Sequence, residues 1–386
     1  MMHDPYNAFV DLDPRAHGGE GPLAGLTVGV KSNIMVAGLP WTGGMGLYRD
    51  RIASRDAAVV TRLRTAGAAI LGTVNMHEAA LGAHTDNAFY GRTHNPHRHD
   101  YTPGGSSGGS GAAVAAGLCD LALGTDTMGS VRIPAAYCGV YGLKPTQGAV
   151  SSDGLAFLEP ELDAIGPLAA SLDVLERAWP ILASDPGHNA TFKRAFVLGR
   201  QSEVEVQPAV TAGYEAALRA LPLISETFDL PDSLTDIRMA GLVSAGQWLI
   251  ADLGAEYRED NPGLSDELKF ILKLTAGMEQ RPEVLARTRT ALRKALGSDG
   301  VLIMPTAPQV AFAHGTRAPF NQADFTCLAN VADLPALALP SGWSEDGLPV
   351  SVQLVGPPGS EPGLIALARQ LDNELQAYRR PSQSGI

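Results

Sequence analysis

The sequence predicts an α/β fold, because strand-like and helix-like segments alternate along its first third. LAGLTVGV (23–30) and AAILGTV (68–74) are short and apolar, as buried strands are. A helix is expected between them, capped by Asp56, running through Arg64 and stopped by Gly67. The small-residue helix GAAVAAGL (111–118) then leads into the strand DLALG. Alternation of this kind is typical of α/β proteins.

The rest of the chain adds a helical middle and a strand-rich end. Residues from about 205 to 296 are mostly helical in pattern, whereas GVLIMP, PALALP and LPVSVQLVG near the C-terminus predict strands. GLIALARQLDNEL predicts a last, amphipathic helix. No repeat, long polar tract or charge block divides the sequence. We therefore predict one domain over residues 1–386, with a helical segment at about 190–296 inside it.

Composition and charge exclude several classes of function. The net charge is −12, which argues against a general nucleic-acid binder and against adhesion to acidic membranes. No stretch approaches the ~20 consecutive apolar residues of a membrane span, and MMHDPYNAF lacks the features of a secretory signal. Three scattered cysteines, Cys119, Cys138 and Cys327, are too few for a disulfide framework, so we expect them to be buried and reduced. These features predict a cytoplasmic protein.

The stretch GGSSGGSG (104–111) allows three interpretations. A flexible linker has this composition, but a new domain should follow it, and a tight helix and strand follow here. A phosphate-binding loop needs a lysine before Ser or Thr at its end, whereas Ala112 and Ala113 stand there. A catalytic loop fits better, because glycines let backbone amides approach a ligand closely and serines supply hydroxyl groups.

Two serine motifs and an upstream lysine carry a resemblance to a known family. The loop GGSSGGS (104–110) is followed by GTDTMGSVRIPA (124–135), and Lys31 ends the strand-like TVGV. This set resembles the hallmark of the amidase signature family: a GGSSGGS loop, a segment G-[ST]-D-x-G-G-S-[IV]-R-x-P-A and a lysine at a strand end. NPHRHDYTPGG, LDAIGPLAASLDVLE, VLIMPTAP and GLPVSVQLVGPPG also look like the family. The resemblance covers most of the chain, except about 190–285, which we interpret as a divergent specificity segment.

The resemblance implies both a fold and a catalytic triad. The family's fold is a large central mixed β-sheet covered by helices on both faces. Matched position by position, Ser130 is the nucleophile, Ser106 the bridging serine and Lys31 the terminal base. The bridging serine follows a cis peptide bond in the family, which here is Gly105–Ser106. Lys31 can accept a proton only when neutral, and free lysine has a pKa of about 10.4, so burial must lower its pKa.

Other site residues are implied by the same match. The turn before the nucleophile supplies the backbone oxyanion hole, here Thr127, Met128 and Gly129. Four residues are expected to support the triad, with Asp126 and Arg132 forming an ion pair rather than contacting substrate; they are Ser107, Thr125, Asp126 and Arg132. No cofactor and no metal are implied. The histidines of NPHRHD and its flank (His94, His97, His99) are expected in a solvated loop without a metal.

Three positions depart from the family pattern. Ser32 follows the lysine where aspartate is common, and Met128 and Asp333 stand where glycine is usual. Methionine at a positive φ would be strained; otherwise its side chain reshapes the pocket. Aromatic and polar residues are candidates for the pocket wall and equally for the core; they are Trp41, Tyr48, Phe157, Gln247, Trp248 and Phe270.

We predict a compact single-chain amidase. It hydrolyses a small carboxylic amide through an acyl-enzyme on Ser130, with a proton relay through Ser106 and Lys31, and releases ammonia or an amine. The alternative is an amidase-fold scaffold, or one chain of an amidotransferase-like complex, with little turnover of its own. The expected partner is a small amide; nucleic acid and membrane are not expected, and a homodimer, common among compact relatives, stays open.

Overall fold

The structure is a computed structural model that describes residues 2–199 and 203–382. The strands and α-helices of these residues are, in chain order, β1 (Phe9–Leu12), β2 (Thr27–Lys31), α1 (Ala58–Thr65), β3 (Ala69–Val74), β4 (Asp86–Asn87), β5 (Gly91–Arg92), α2 (Gly108–Ala115), β6 (Leu121–Asp126), α3 (Arg132–Cys138), β7 (Tyr141–Lys144), β8 (Ala164–Ala169), α4 (Leu172–Leu182), β9 (Arg194–Leu198), α5 (Pro208–Ala220), β10 (Ser225–Phe228), α6 (Leu234–Leu253), α7 (Asp266–Ala276), α8 (Pro282–Leu296), β11 (Gly300–Pro305), α9 (Cys327–Val331), β12 (Ala336–Trp343), β13 (Pro349–Val355) and α10 (Glu361–Leu375).

One mixed sheet organises the molecule. Its eleven strands in the described part of the chain run in the order β1-β3-β2-β6-β8-β7-β12-β13-β11-β9-β10. Strands β3, β2 and β6 are mutually parallel, as are β11, β9 and β10, whereas the strands between β6 and β11 pair antiparallel. The predicted large mixed sheet is confirmed.

Both faces of the sheet are buried. Along β12, Leu337 and Leu339 belong to the core that packs under α1, α4, α5 and α10. Ala336 and Ala338, which alternate with them, belong to the cores on the opposite face. Side chains of a strand alternate between the two faces, so an uninterrupted apolar segment such as PALALP indicates a strand covered on both sides.

Several predicted elements differ in their limits. The first helix begins at Ala58, because the Asp56 carboxylate accepts hydrogen bonds from the Ala37 amide and Arg64 instead of capping the helix. Helix α2 begins at Gly108, so the glycine-serine stretch runs directly into a helix. The helical middle also contains β10, which extends the sheet beside β9; the predicted segment 190–296 is described except for residues 200–202.

The three cysteines are buried and free, as predicted. Among the described residues, no helix combines the length and the apolar character needed to cross a membrane.

Candidate active site

The site lies where two parallel strands end. Lys31 is the last residue of β2 and Asp126 the last residue of β6, and these strands pair in parallel. The carboxyl ends of neighbouring parallel strands meet at one edge of a sheet, which is where α/β proteins commonly bind ligands. The first serine motif leads into α2, which precedes β6 in the chain, and the second lies between β6 and α3. Both motifs therefore lie next to β6.

Lys31 is fully buried and bound to two hydroxyl groups. Its Nζ donates to Ser106 Oγ over 2.7 Å and to Thr125 Oγ1 over 2.8 Å. Burial lowers the pKa of Lys31 to about 7, although the carboxylates of Asp163 and Asp126 act in the opposite direction. A lysine with such a pKa is neutral in a large fraction of molecules at neutral pH and can accept a proton.

The loop that carries Ser106 has no room for larger residues. The Gly105–Ser106 peptide bond is cis, as the resemblance implies. An added Cβ on Gly105 would lie 2.7 Å from the backbone nitrogen of His84, so only glycine allows the two backbones to approach this closely. The Ser106 carbonyl accepts the His77 amide over 2.9 Å, which holds the loop against the segment after β3.

Ser130 borders a cavity of about 300 Å³. Only 9% of the residue is exposed, and its carbonyl accepts the Ser107 amide over 3.2 Å. Within the described residues no hydrogen bond joins Ser106 Oγ to Ser130 Oγ. The structure thus places the three predicted triad residues near one another and forms the Lys31–Ser106 link, while the Ser106–Ser130 link stays a prediction. Catalytic hydrogen bonds often tighten only when substrate is bound.

Asp126 and Arg132 form a buried ion pair behind the nucleophile. Arg132 Nε and Nη2 donate to the two Asp126 oxygens over 3.0 and 2.9 Å. Arg132 also donates to Gln353 and Asn330, each over 2.7 Å. Both charged side chains are fully buried, and burial would raise the pKa of Asp126, but Arg132 lowers it to about 2. The pair faces protein groups and fixes the turn that carries Ser130.

The proposed oxyanion hole needs a correction at Gly129. Its N–H donates to Asp126 Oδ1 over 2.7 Å, so this amide is already engaged. Thr127 and Met128 line the cavity beside Ser130. Within the described residues, the amides of Thr127, Met128 and Ser130 have no hydrogen-bond acceptor. An oxyanion hole at this turn stays a prediction, without the Gly129 amide as one of its donors.

The supporting residues bind one another around the lysine. Ser107 Oγ lies 3.2 Å from both the amide and the carbonyl of Thr125. Asn33 Nδ2 also reaches the Thr125 hydroxyl, over 3.2 Å. Asp163, to which the sequence match gives no role, accepts the Thr127 hydroxyl and the amides of two loop residues. Burial raises the pKa of Asp163 to about 6, and this carboxyl is the acidic group that acts most strongly on Lys31.

The cavity wall is mostly apolar. It is formed by α6, α7 and the loops around them, through residues that include Met128, Leu158, Leu242, Phe270, Ile271 and Leu274. Of the aromatic candidates only Phe270 lies here. Trp41, Tyr48, Phe157 and Trp248 line a second cavity of about 290 Å³. Gln247 instead ties α6 to the end of α7 by hydrogen bonds to the carbonyls of Thr275 and Met278.

Two departures from the family pattern have different consequences. Met128 is not among the residues with positive φ, so it is unstrained and its half-buried side chain shapes the cavity. Asp333 has φ 52° in the left-handed region, where glycine is favoured. Its carboxylate binds Arg293 over 2.9 Å, a contact that glycine could not make.

Comparison with known proteins identifies the family. A family model described as Amidase matches residues 8–215 and 265–365. A glutamyl-tRNA(Gln) amidotransferase subunit of Synechococcus sp. (strain CC9311) is 32% identical over 97% of this chain and 89% of its own length. The unmatched stretch 216–264 falls inside the segment that the sequence predicts to be divergent.

Solved structures give the same result. The crystal structure of the glutamyl-tRNA(Gln) amidotransferase subunit from Thermotoga maritima has a TM-score of 0.84 and 27% identity, over 97% of this chain and 90% of that one. A second solved structure is described as an unexpected vestigial protein complex that reveals the evolutionary origins of an s-triazine catabolic enzyme. Its chain has a TM-score of 0.84 and 30% identity, over 94% of this chain and 87% of that one. The chain therefore belongs to the amidase signature family.

Proposed function

We propose that this chain cleaves an amide C–N bond through an acyl-enzyme on Ser130. The observation that carries the proposal is the buried Lys31, whose pKa is about 7 and whose Nζ lies 2.7 Å from Ser106 Oγ. A serine hydroxyl is a poor nucleophile unless a neighbouring base takes its proton. A neutral lysine reached through a second serine supplies that base.

The chemical steps use only residues of this site. Ser130 Oγ attacks the amide carbon while its proton passes to Ser106, whose own proton passes to Lys31 Nζ. The amides of the turn at Thr127 and Met128 stabilise the negative charge on the carbonyl oxygen. The C–N bond then breaks, and the leaving nitrogen takes the relayed proton. Water next attacks the Ser130 ester with the same relay, which releases the carboxylic acid and restores the hydroxyl.

The cavity supports a substrate with an apolar acyl group. The wall next to Ser130 consists largely of Met128, Leu158, Leu242 and the apolar face of α7. Arg238 of the wall is engaged by Asp324 in a buried ion pair, and Glu267 of the wall is hydrogen-bonded to His84. Pockets of this kind bind alkyl or aryl groups and use few polar contacts for orientation. We propose that alkyl or aryl amides are preferred over charged ones.

A second candidate is a catalytic subunit with little turnover of its own. The names of the relatives support it: they are subunits of glutamyl-tRNA(Gln) amidotransferases, and one structural neighbour belongs to a vestigial complex. These names support the subunit role more strongly than a stand-alone cytoplasmic amidase. In this role the same triad cleaves an amide, and a partner chain, or a second copy of this one, sets when it does so.

The nucleophile is tested by exposing the protein to a fluorophosphonate and mapping the adduct by mass spectrometry. A single adduct on Ser130 is expected, and it should be absent from Ser130→Ala and strongly reduced in Lys31→Ala. Ser110→Ala is the matched control, because Ser110 lies in the same loop but donates to the Leu123 carbonyl. An adduct elsewhere, or unchanged labelling of Lys31→Ala, contradicts the proposed triad.

The two candidate roles are separated by measuring mass and turnover of the purified chain together. Ammonia or amine release by protein of monomer or homodimer mass supports the stand-alone amidase. Labelling of Ser130 by the fluorophosphonate without amide turnover supports the subunit role if the protein also purifies in a defined complex with another chain.

A further inference from the structure

Three metal-ligand groups converge at the rim of the Ser130 cavity. Glu267 Oε1 on α7 lies 2.9 Å from His84 Nε2 and 3.7 Å from His77 Nε2. The three side chains offer ligand atoms that all lie within 4.8 Å of one another. His84 and Glu267 also line the cavity that contains Ser130. The catalytic mechanism described above uses none of these groups.

The donor set and its spacing suit a transition-metal ion. Two imidazoles and one carboxylate form a frequent protein site for Zn²⁺, with metal–ligand distances of about 2.0–2.2 Å. Ligand atoms around such an ion lie roughly 3 Å apart. The separations of Glu267 from His84 and from His77, 2.9 and 3.7 Å, are close to this value, and all three ligand atoms lie within 4.8 Å of one another.

The orientation of the rings distinguishes this cluster from another one. The rings of His77 and His84 meet edge to face, with an interplanar angle of 80°. In the second cluster, His94, His99 and Asp100, the two imidazoles stack at 3.9 Å with an interplanar angle of 14°. A metal lies in the plane of each ring that binds it, so two rings in stacked, nearly parallel planes converge poorly on one ion. The first cluster is therefore the better site.

Burial and backbone shape also favour the first cluster. The side chain of His77 is 4% exposed and that of His84 is 18% exposed, so these ligands are partly dehydrated and held in place by packing. An added Cβ on Gly82 would lie only 2.1 Å from His77 Nε2. Glycine at position 82 therefore lets the backbone lie against the His77 ring without a clash.

We propose that His77, His84 and Glu267 bind one divalent transition-metal ion of the Zn²⁺ type at the rim of the Ser130 cavity. Three protein ligands leave at least one coordination position for water or for an oxygen of a bound molecule. The ion would also join α7 to the segment between His77 and His84, and so fix one wall of the cavity. This site does not depend on the acyl-enzyme chemistry.

The test measures Zn²⁺ binding to Ser130→Ala protein, so that its result is independent of catalysis. Calorimetry should give one Zn²⁺ per chain, and Co²⁺ should give a visible absorption band of low-symmetry coordination. Glu267→Gln and His84→Asn should each weaken binding at least tenfold, as loss of one of three ligands does. His94→Asn, which disrupts the second cluster, should leave the affinity unchanged.

Folding is checked by circular dichroism and melting temperature without metal. If a ligand variant does not fold, Gly82→Ala provides the second test, because it crowds His77 Nε2 while keeping all three ligands. Zn²⁺ affinity unchanged in the folded ligand variants, or lost in His94→Asn, overturns the proposal. So does the absence of binding to the parent protein at millimolar Zn²⁺.

Discussion

At the scale of single residues, Lys31 determines the pH at which the site can act. Burial lowers its pKa to about 7, and it must be neutral to accept the proton that Ser130 loses. Below pH 7 the protonated lysine cannot act as a base, so the rate of Ser130 acylation should fall tenfold per pH unit there. Above pH 7 the rate should level off.

This pH dependence is measured as the rate of fluorophosphonate labelling between pH 5 and 9, which needs no known substrate. Lys31→Met is the control, and its slow residual labelling should lose the inflection near pH 7. An inflection that persists in Lys31→Met would assign the titration to another group.

Asp126 is expected to be important for stability through Arg132. Replacing it with asparagine leaves a buried guanidinium without its counter-charge, and breaking one side of a buried ion pair costs about 3–5 kcal/mol. Urea unfolding of Asp126→Asn should therefore show a loss of that order in the free energy of unfolding. Asp153→Asn, in the exposed pair with Arg55, is the control and should change little. Equal losses in the two variants would contradict the role assigned to the buried pair.

The sequence predicts the triad residues but not all of their neighbours. Ser106, Ser130 and Lys31 lie in motifs that local sequence identifies. Asp163 lies in the family-like segment LDAIGPLAASLDVLE, but the resemblance gives it no role. It approaches Lys31 because β8 pairs antiparallel with β6, with Ala164 opposite Asp126. Long-range strand pairing cannot be derived from local patterns, so this acidic neighbour becomes visible only in the folded chain.

At the scale of elements, the helices of the middle segment were predictable but their packing was not. The sequence pattern predicts a mostly helical segment here, including the stretch that forms α7, yet it does not determine which apolar side chains meet a cavity. Phe270 on α7 lies at the Ser130 cavity, whereas Trp248 on α6 faces the second cavity. Strand β10 was missed because SETF is exposed or half-buried and carries almost no apolar signal.

The wall formed by α7 should select for apolar acyl groups. Phe270→Ala removes a ring from that wall, and we expect the ratio of kcat/KM for hexanoyl over acetyl p-nitroanilide to fall about tenfold, since a few lost methylene contacts cost about 1–3 kcal/mol. Trp248→Ala, in the other cavity, should leave the ratio near its starting value. A ratio that changes equally in both variants would argue against α7 as the wall that contacts the acyl group. If the isolated chain shows no turnover, the same ratio is measured on the complex that restores it.

At the scale of the whole molecule, the family resemblance predicts a large mixed sheet but the order of its strands is seen only in the structure. Local patterns identify β2, β3, β6 and the C-terminal strands, but they do not show that β8 inserts between β6 and β7. Within this sheet Lys31, the last residue of β2, is fully buried. The same burial encloses a second lysine, Lys144, and lowers its pKa to about 8.

Two buried lysines should make the folding stability rise with pH in a defined window. Their folded pKa values, about 7 and about 8, lie below the ordinary value of 10.5. Above pH 8 the unfolded chain therefore holds more protons than the folded one, and stability increases with pH by up to about 1.4 kcal/mol per unit for each group. The gain is limited near pH 9, where the buried cysteines, with raised pKa values, act in the opposite direction.

The measurement is urea unfolding at intervals between pH 7.5 and 9. Lys31→Met should remove about 1 kcal/mol per pH unit from the slope of the free energy of unfolding, because a group that stays uncharged in both states contributes no linkage. Lys273→Met, at an exposed lysine paired with Glu259, should leave the slope unchanged. A wild-type slope that persists in Lys31→Met would mean that Lys31 is charged in the folded protein, and the neutral base on which the proposed reaction depends would be absent.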